Sequence, residues 1–354
     1  MRILITGICG FVGSVLARSL GEAFGQDRIF GVDNLIRPGA HVNRAELLRR
    51  GIRVWHGDIR MPSDLELLPA ADWVIDAAAN PSVMAGVDGQ TSSRQLLEHN
   101  LNGTLNLLEY CKRHSAGFLL LSTSRVYSVN ALSMLPMIEQ NQAFALDEKK
   151  SLPVGVSRNG ISEELSTEPP VSLYGNSKLC SESLALEYGA AFHFPVWINR
   201  CGVLAGAGQF GKADQGIFSY WIHSWKAGRP LKYIGFNGLG LQVRDALHPA
   251  DLVRLLLKQL DKPAAGSRRI WNVGGGPANA MSLLQLSQWC SRRFGPQSVV
   301  SDPAPRPYDI PWFVMDDRKA RDFWNWQPDI SMEQILEEIA RHAEANPDWL
   351  KLVA

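Results

Sequence analysis

Tyr174-Gly175-Asn176-Ser177-Lys178 places a phenol and an ammonium four residues apart. On a helix these side chains share one face. A neighbouring ammonium stabilises a phenolate and lowers the phenol pKa from about 10. A phenol so tuned can act as a general base on a hydroxyl near neutral pH. Most Tyr-x-x-x-Lys pairs are surface neighbours, so the chemistry depends on what precedes them. Here a phosphate-binding turn precedes them. Gly7, Gly10 and Gly13 sit between an apolar run and an amphipathic one. The first permits a tight turn, the second lets a pyrophosphate approach the backbone, and the third lets helix and strand pack closely. Helix N–H groups and the helix dipole then face the phosphates. Asp33 ends the next apolar run, twenty residues past Gly13. A carboxylate there accepts hydrogen bonds from the ribose hydroxyls and repels a 2′-phosphate, which favours NAD over NADP. Arg37 nearby is of the type that can hold a 2′-phosphate.

These residues need a scaffold of strands and helices in alternation, and the chain supplies one. Apolar runs predict strands over Arg2–Thr6, Arg28–Val32, Ile52–Trp55, Trp73–Ala77, Gly117–Ser122 and Val196–Arg200. Amphipathic runs predict helices over Phe11–Phe24, Asn43–Arg50, Ser92–His114 and Tyr174–His193. Continuously apolar strands separated by helices indicate a doubly wound α/β fold, a parallel sheet covered on both faces. The stretch Ser128–Leu173 is long, polar and dotted with Gly and Pro, and reads as a functional loop. We therefore expect a dinucleotide-binding domain over 1–200 and a smaller substrate domain over 201–354. The run Ile270–Val273 is a strand able to return to the main sheet.

The 354 residues carry 36 basic and 35 acidic side chains, for a formal net charge of +1. That balance gives no electrostatic reason to expect nucleic acid or an anionic membrane as partner. An anionic small substrate needs a local basic site instead. The five cysteines are scattered and the histidines show no metal-ligand spacing, so neither a metal nor disulfides are expected, and a reducing cytoplasm is the expected compartment. The apolar N-terminal run is too short for a signal peptide, and no apolar stretch is long enough to span a bilayer.

The spacing Gly7-x-x-Gly10-x-x-Gly13, with Tyr174 and Lys178, resembles that of the extended short-chain dehydrogenase/reductases. In that family an Asp after the third strand meets the adenine, which implies Asp58 and Ile59 here. Small residues after the fourth strand pack on the cofactor, which implies Ala77, Ala78 and Ala79. The resemblance extends the cofactor set to Cys9, Phe11, Val12, Asn34, Arg37, Asn100, Ser122 and Arg200. The catalytic hydroxyl lies four residues before the Tyr that closes Ser122-Thr123-Ser124-Arg125-Val126-Tyr127, which implies Thr123; Ser122 and Ser124 are its local competitors. Dehydratases of the family carry an Asp-Glu pair directly after this Thr, and the related decarboxylases keep a Glu at the second position. Ser124 and Arg125 stand there instead, which leaves simple removal and return of hydrogen.

Gln242-Val243-Arg244-Asp245 resembles the segment that grips a nucleotide diphosphate, with Arg244 and Arg306 as its cations and Gln209 as a further substrate contact. Asp214-Gln215-Gly216 and Ser282-Leu283-Leu284 extend the resemblance over the whole chain. It is nearest to the CDP-paratose 2-epimerases, which implies an NAD-dependent epimerase working through a transient keto-sugar. A UDP-sugar 4-epimerase, a net oxidoreductase and a non-catalytic dinucleotide sensor are the alternatives. Leu173, Ser128 and the stretch 203–208 depart from the family near the sugar pocket. In the family the two long helices pair across a two-fold axis, which implies a homodimer or a dimer of dimers.

Overall fold

The computed structural model describes residues 1–87, 89, 92–212 and 215–352. Asp214 of the Asp214-Gln215-Gly216 stretch lies outside the described residues. Seven parallel strands form the main sheet: β1 (Ile3–Thr6), β2 (Ile29–Asp33), β3 (Arg53–His56), β4 (Trp73–Asp76), β5 (Gly117–Thr123), β6 (Val196–Cys201) and β7 (Ile270–Val273). Their order is β7-β6-β5-β4-β1-β2-β3. The order reverses between β1 and β4, so a crevice opens where their carboxyl ends part. Four of the strands are buried along their whole length, as their unbroken apolar character requires.

Helices cover both faces. On one side α1 (Phe11–Phe24) packs Leu16 and Leu20 among Leu252, Leu255 and Leu256 of a helix at Pro249–Asp261. On the other, α2 (Gly103–His114) sets Leu107, Leu108 and Cys111 against Ala185 of α3 (Ser172–Phe192). Each fully buried Leu contributes about 1.5–3 kcal/mol. The main sheet thus recruits β7 and the 249–261 helix from beyond residue 200. The rest of that stretch gathers helices Ile217–Lys226, Leu283–Phe294 and Met332–Ala345 around Trp221, Trp225 and Trp289. A second, small sheet is built on Val243–Leu247.

Two expectations change. The helix expected over Ser92–His114 widens into a π turn at Glu98–Asn102 before α2 begins. The stretch read as a loop over Ser128–Leu173 holds a short helix and two hairpins, Met137–Gln140 with Ala143–Leu146 and Val156–Ser157 with Gly160–Ile161. Its backbone groups find partners far along the chain: Phe144 N donates to Leu241 O at 2.9 Å, and Ile161 N donates to Val314 O at 2.8 Å. Such distant pairing leaves no local periodicity to read. Among the described residues no helix is long and apolar enough to cross a membrane.

Candidate active site

The turn from β1 into α1 has the shape a dinucleotide needs. Gly7 sits at φ +60°, and a Cβ there would lie 3.0 Å from the Ala78 backbone. A Cβ on Gly13 would lie 2.2 Å from the Gly7 carbonyl oxygen. Gly10 caps α1 without a side-chain hydrogen bond, so the first N–H groups of the helix, from Phe11 and Val12 onward, face the crevice unclaimed. Ala77, Ala78 and Ala79 form the opposite wall, pinned where Ala78 N donates to Thr6 Oγ1 at 3.1 Å. Thr6 in turn donates to the buried Asp76, which also accepts from Thr104. This cradle, which extra side chains would fill, fits the pyrophosphate of NAD.

Asp33 stands at the carboxyl end of β2. Cys9 N donates to its Oδ2 at 2.9 Å and Leu35 N donates to its Oδ1 at 2.8 Å. Burial raises its pKa, and these two backbone bonds oppose the rise. One lone pair on each oxygen remains for ribose hydroxyls. Arg37 points elsewhere: it donates to Phe210 O at 2.5 Å and to Gln215 Oε1 at 2.8 Å. Asp58 is gripped by Arg60 at 2.7 and 2.9 Å and by Asn34 at 3.0 Å, which together hold its carboxyl well below the usual range. Ile59 packs against Gly103 beside it. Cys9 is fully buried, and burial pushes its thiol up to about 12, so only its backbone bears on the cofactor.

Tyr174, Lys178 and Thr123 converge across α3 and the end of β5; all three are buried. The Thr123 hydroxyl lies beside the Tyr174 phenol and lowers its pKa. Asn100 of the π turn donates to Ser177 Oγ at 3.0 Å and accepts from Asn80 N at 2.8 Å, which fixes α3 to the crevice wall. The phenol pKa departs from expectation in the protein alone. Burial raises it, the Thr123 hydroxyl and the Arg125 charge lower it, and desolvation wins. Lys178 acts on the Cys201 thiol as a lowering charge.

Beneath these groups lies a buried network absent from the sequence reading. Glu182, one turn past Lys178, accepts from Arg200 Nη2 at 2.7 Å and from the Ser122 hydroxyl. Arg200 also donates to Tyr127 Oη at 3.4 Å, and Tyr127 donates to Asn272 Oδ1 at 2.6 Å. Ser122 and Arg200, expected at the cofactor, are thus committed to anchoring β5, β6 and α3 together. The spacing of Tyr174, Lys178 and Glu182 at i, i+4 and i+8 was the available signal.

On the substrate side Arg244 donates to Ile310 O at 2.9 Å and pairs with Asp309 at 3.4 Å. Burial and the charges of Arg125 and Arg306 lower its pKa to about 10. Three guanidinium groups, of Arg125, Arg244 and Arg306, are thus near enough to feel one another's charge, and Asp309 offsets those of Arg125 and Arg244, an arrangement suited to a diphosphate. Asp245 accepts from Gly275 N and Gly276 N at 2.8 and 3.0 Å, and burial pushes its carboxyl up to about 7. His248 caps the 249–261 helix and contacts Glu338 at 2.9 Å. Gln209 donates to Leu204 O at 2.8 Å, and its own backbone carbonyl receives Trp349 Nε1.

Residues 3–274 match the family model described as the NAD dependent epimerase/dehydratase family. The chain is 29% identical to a CDP-paratose 2-epimerase of Salmonella typhi, over 96% of this chain and 98% of that one. It is 26% identical to a UDP-glucuronate 4-epimerase of Thermodesulfobacterium geofontis, over 99% and 98%. Among solved structures, the UDP-glucuronic acid 4-epimerase of Bacillus cereus, in complex with UDP-glucuronic acid and NAD, superposes with a TM-score of 0.75 at 25% identity over 98% of this chain and 99% of that one.

Proposed function

The chain belongs to the NAD-dependent epimerase/dehydratase family, and we propose that within it the protein inverts one carbinol centre of a nucleotide-diphosphate sugar, position 2 of a CDP-linked deoxysugar of the paratose kind being the first candidate. The enzyme is an NAD-dependent one of nucleotide sugars. One observation carries the reading beyond the family. Thr123 and the Tyr174 phenol, both buried, lie side by side, and Ser124 and Arg125 follow Thr123 where elimination would need an acid and a base.

Arg244 and Arg306 hold the diphosphate and so present the sugar to the end of β5. Thr123 Oγ1 and Tyr174 Oη share the hydroxyl of the carbon to be inverted. Tyr174 takes its proton while the closed walls keep water out. When bound, NAD supplies the acceptor and then the donor for the carbon-bound hydrogen. Lys178, on the same helix face, holds the cofactor's ribose beside the phenol. The keto-sugar turns in the pocket, and Tyr174 returns the proton to its oxygen. The full-length similarity to a CDP-paratose 2-epimerase supports the 2-position, and that to UDP-glucuronate 4-epimerases supports position 4 as the second reading.

The enzyme is proposed to work as a homodimer or a dimer of dimers through α2 and α3. The stripe of α3 turned inward is polar, with Ser177, Lys178, Ser181 and Glu182, while Leu184 and Leu186 stay half-buried and Phe192 is exposed. A second copy covers such a face; a monomer by light scattering at micromolar concentration would count against it. The chemical reading is tested by turnover of CDP-, UDP-, GDP- and dTDP-sugars with the wild type and Tyr174→Phe. One nucleotide sugar should be epimerised by the wild type alone, with NAD binding kept in the variant. Near-normal turnover by Tyr174→Phe would exclude Tyr174 as the base.

A further inference from the structure

Residues 204–212 lead into the substrate half, yet they touch the cofactor cradle on their way. We infer that this segment is a strap across the adenosine end of the NAD site, and that Arg37 is the positioning residue that latches it and so keeps NAD from leaving. The inference rests on reading the turn from Gly7 to Gly13 as the NAD cradle.

The path of the strap follows from its contacts. Leu204 packs on the core cluster that also receives Val12, Leu35 and Ala77. A Cβ on Gly206 would lie 3.4 Å from the Phe11 ring, where α1 begins. Phe210 is buried, and its ring lies where a Cβ on Gly39 would approach to 2.5 Å. Gly39 holds φ at +88° and caps the helix Ala40–Arg49, so glycine there serves both the turn and the close approach. Phe11 opens the helix whose first N–H groups face the pyrophosphate, and Gly39 closes the turn that follows Asp33. The strap thus runs from the pyrophosphate end of the cradle to its ribose edge.

The substrate half holds the strap from behind. Trp349 Nε1 and the Ser219 hydroxyl both donate to the Gln209 carbonyl at 3.0 Å. The Trp349 ring stacks on Phe210, with centroids 5.2 Å apart and planes 11° from parallel. Ala207 N donates to Glu338 at 3.2 Å. On the cofactor side Arg37 fastens it. Nη2 donates to the Phe210 carbonyl at 2.5 Å and Nη1 to Gln215 Oε1 at 2.8 Å. Gln215 in turn exchanges two backbone bonds with Lys212, at 2.7 and 3.1 Å. A guanidinium is permanently charged and presents its donors as a fixed fork, so one side chain holds both acceptors at once. The Arg37 backbone is itself fixed, because its carbonyl accepts Ala40 N at 3.1 Å. Arg37 therefore ties the turn beside the ribose carboxylate to a segment anchored in the other half. An epimerase returns NAD to its starting state in every cycle, so release of the cofactor is no part of turnover.

The test is the exchange of bound NAD for an excess of isotopically labelled NAD, read by mass spectrometry of the protein-bound fraction. No sugar is needed. Arg37→Ala should exchange about tenfold faster than wild type or more, as expected for the loss of charged hydrogen bonds. Arg37→Lys, which keeps the charge and loses the fork, should fall between the two. Gln215→Ala removes one acceptor from the far side of the latch and should exchange severalfold faster than wild type. The double variant should exchange no faster than Arg37→Ala, because both changes break one tie. Wild-type exchange by Arg37→Ala overturns the inference. Fast exchange by Arg37→Ala beside wild-type exchange by Gln215→Ala overturns it as well, since Arg37 would then hold NAD itself; so do effects that multiply in the double variant. A wild type that retains no NAD would overturn the cradle reading, and the strap with it.

Discussion

Glu182→Ala should be among the most damaging single changes in the sheet region. The carboxylate accepts three bonds from Arg200, at 3.1, 3.2 and 2.7 Å. It also accepts the Ser122 hydroxyl. Both charged side chains are nearly enclosed, at 8% exposure for Arg200 and 3% for Glu182. Removing the carboxylate leaves a guanidinium buried without a counter-charge, a change that costs about 3–5 kcal/mol. Arg200 keeps a partial refuge over the Tyr127 ring, 5.2 Å from its centroid. That contact places the loss near the lower end, about 3 kcal/mol. The paired change Glu182→Met with Arg200→Met removes both charges and keeps apolar bulk, so its cost should fall within about 1 kcal/mol of wild type. Urea unfolding of wild type, Glu182→Met, Arg200→Met and the double variant closes the cycle, and the coupling should be about 2 kcal/mol or more. A single variant within about 1 kcal/mol of wild type, or a double variant as unstable as the sum of the singles, would refute the reasoning.

Asp33 keeps a carboxylate at the ribose edge while Arg37 is engaged by Phe210 and Gln215. NAD should therefore bind at least about tenfold tighter than NADP by calorimetry, a difference of ~1.4 kcal/mol; equal affinities would contradict this. Arg244→Ala should weaken binding of CDP and UDP by about one to two decades, as expected for a charged hydrogen bond, and leave NAD affinity nearly unchanged. Unaltered nucleotide affinity would limit Arg244 to holding the 309–310 backbone. Asp245 has a folded pKa raised from 3.8 to about 7 by burial. The folded state then holds a proton that the unfolded state has lost, so this stability is complete below the unfolded pKa and disappears as pH rises through about 7. The melting temperature of wild type should therefore fall relative to that of Asp245→Asn between about pH 4.5 and 7.5; a relative rise would reverse the sign.

The parallel sheet was legible because strands buried on both faces are written as short apolar runs, and all seven runs end within a residue of the observed strands. The glycine turn and the Tyr174–Lys178 pair were legible for a similar reason, since each is a local spacing. What escaped depends on distance along the chain. Ile161 pairs with the backbone of Val314, and Tyr127 with Asn272, and no nearby residue announces either. Glu182 reads from sequence as one more charge on a helix surface. It is buried because Arg200 on β6 meets it, which only the folded sheet brings about. The hold of Arg125 on the Tyr308 carbonyl escaped because that partner lies 183 residues on. Spacing reveals the charge next to the phenol and not the burial that raises its pKa in the protein alone.

The central claim is that hydrogen leaves one sugar carbon and returns to it inside a closed site. The direct measurement is turnover of the accepted nucleotide sugar in heavy water, with the product analysed by NMR and mass spectrometry. With Tyr174 exchanging only the hydroxyl proton, the inverted product should carry no carbon-bound deuterium. Deuterium at C5 or C6 would mean elimination and contradict the account; deuterium at the inverted carbon alone would mean direct deprotonation there and contradict it equally.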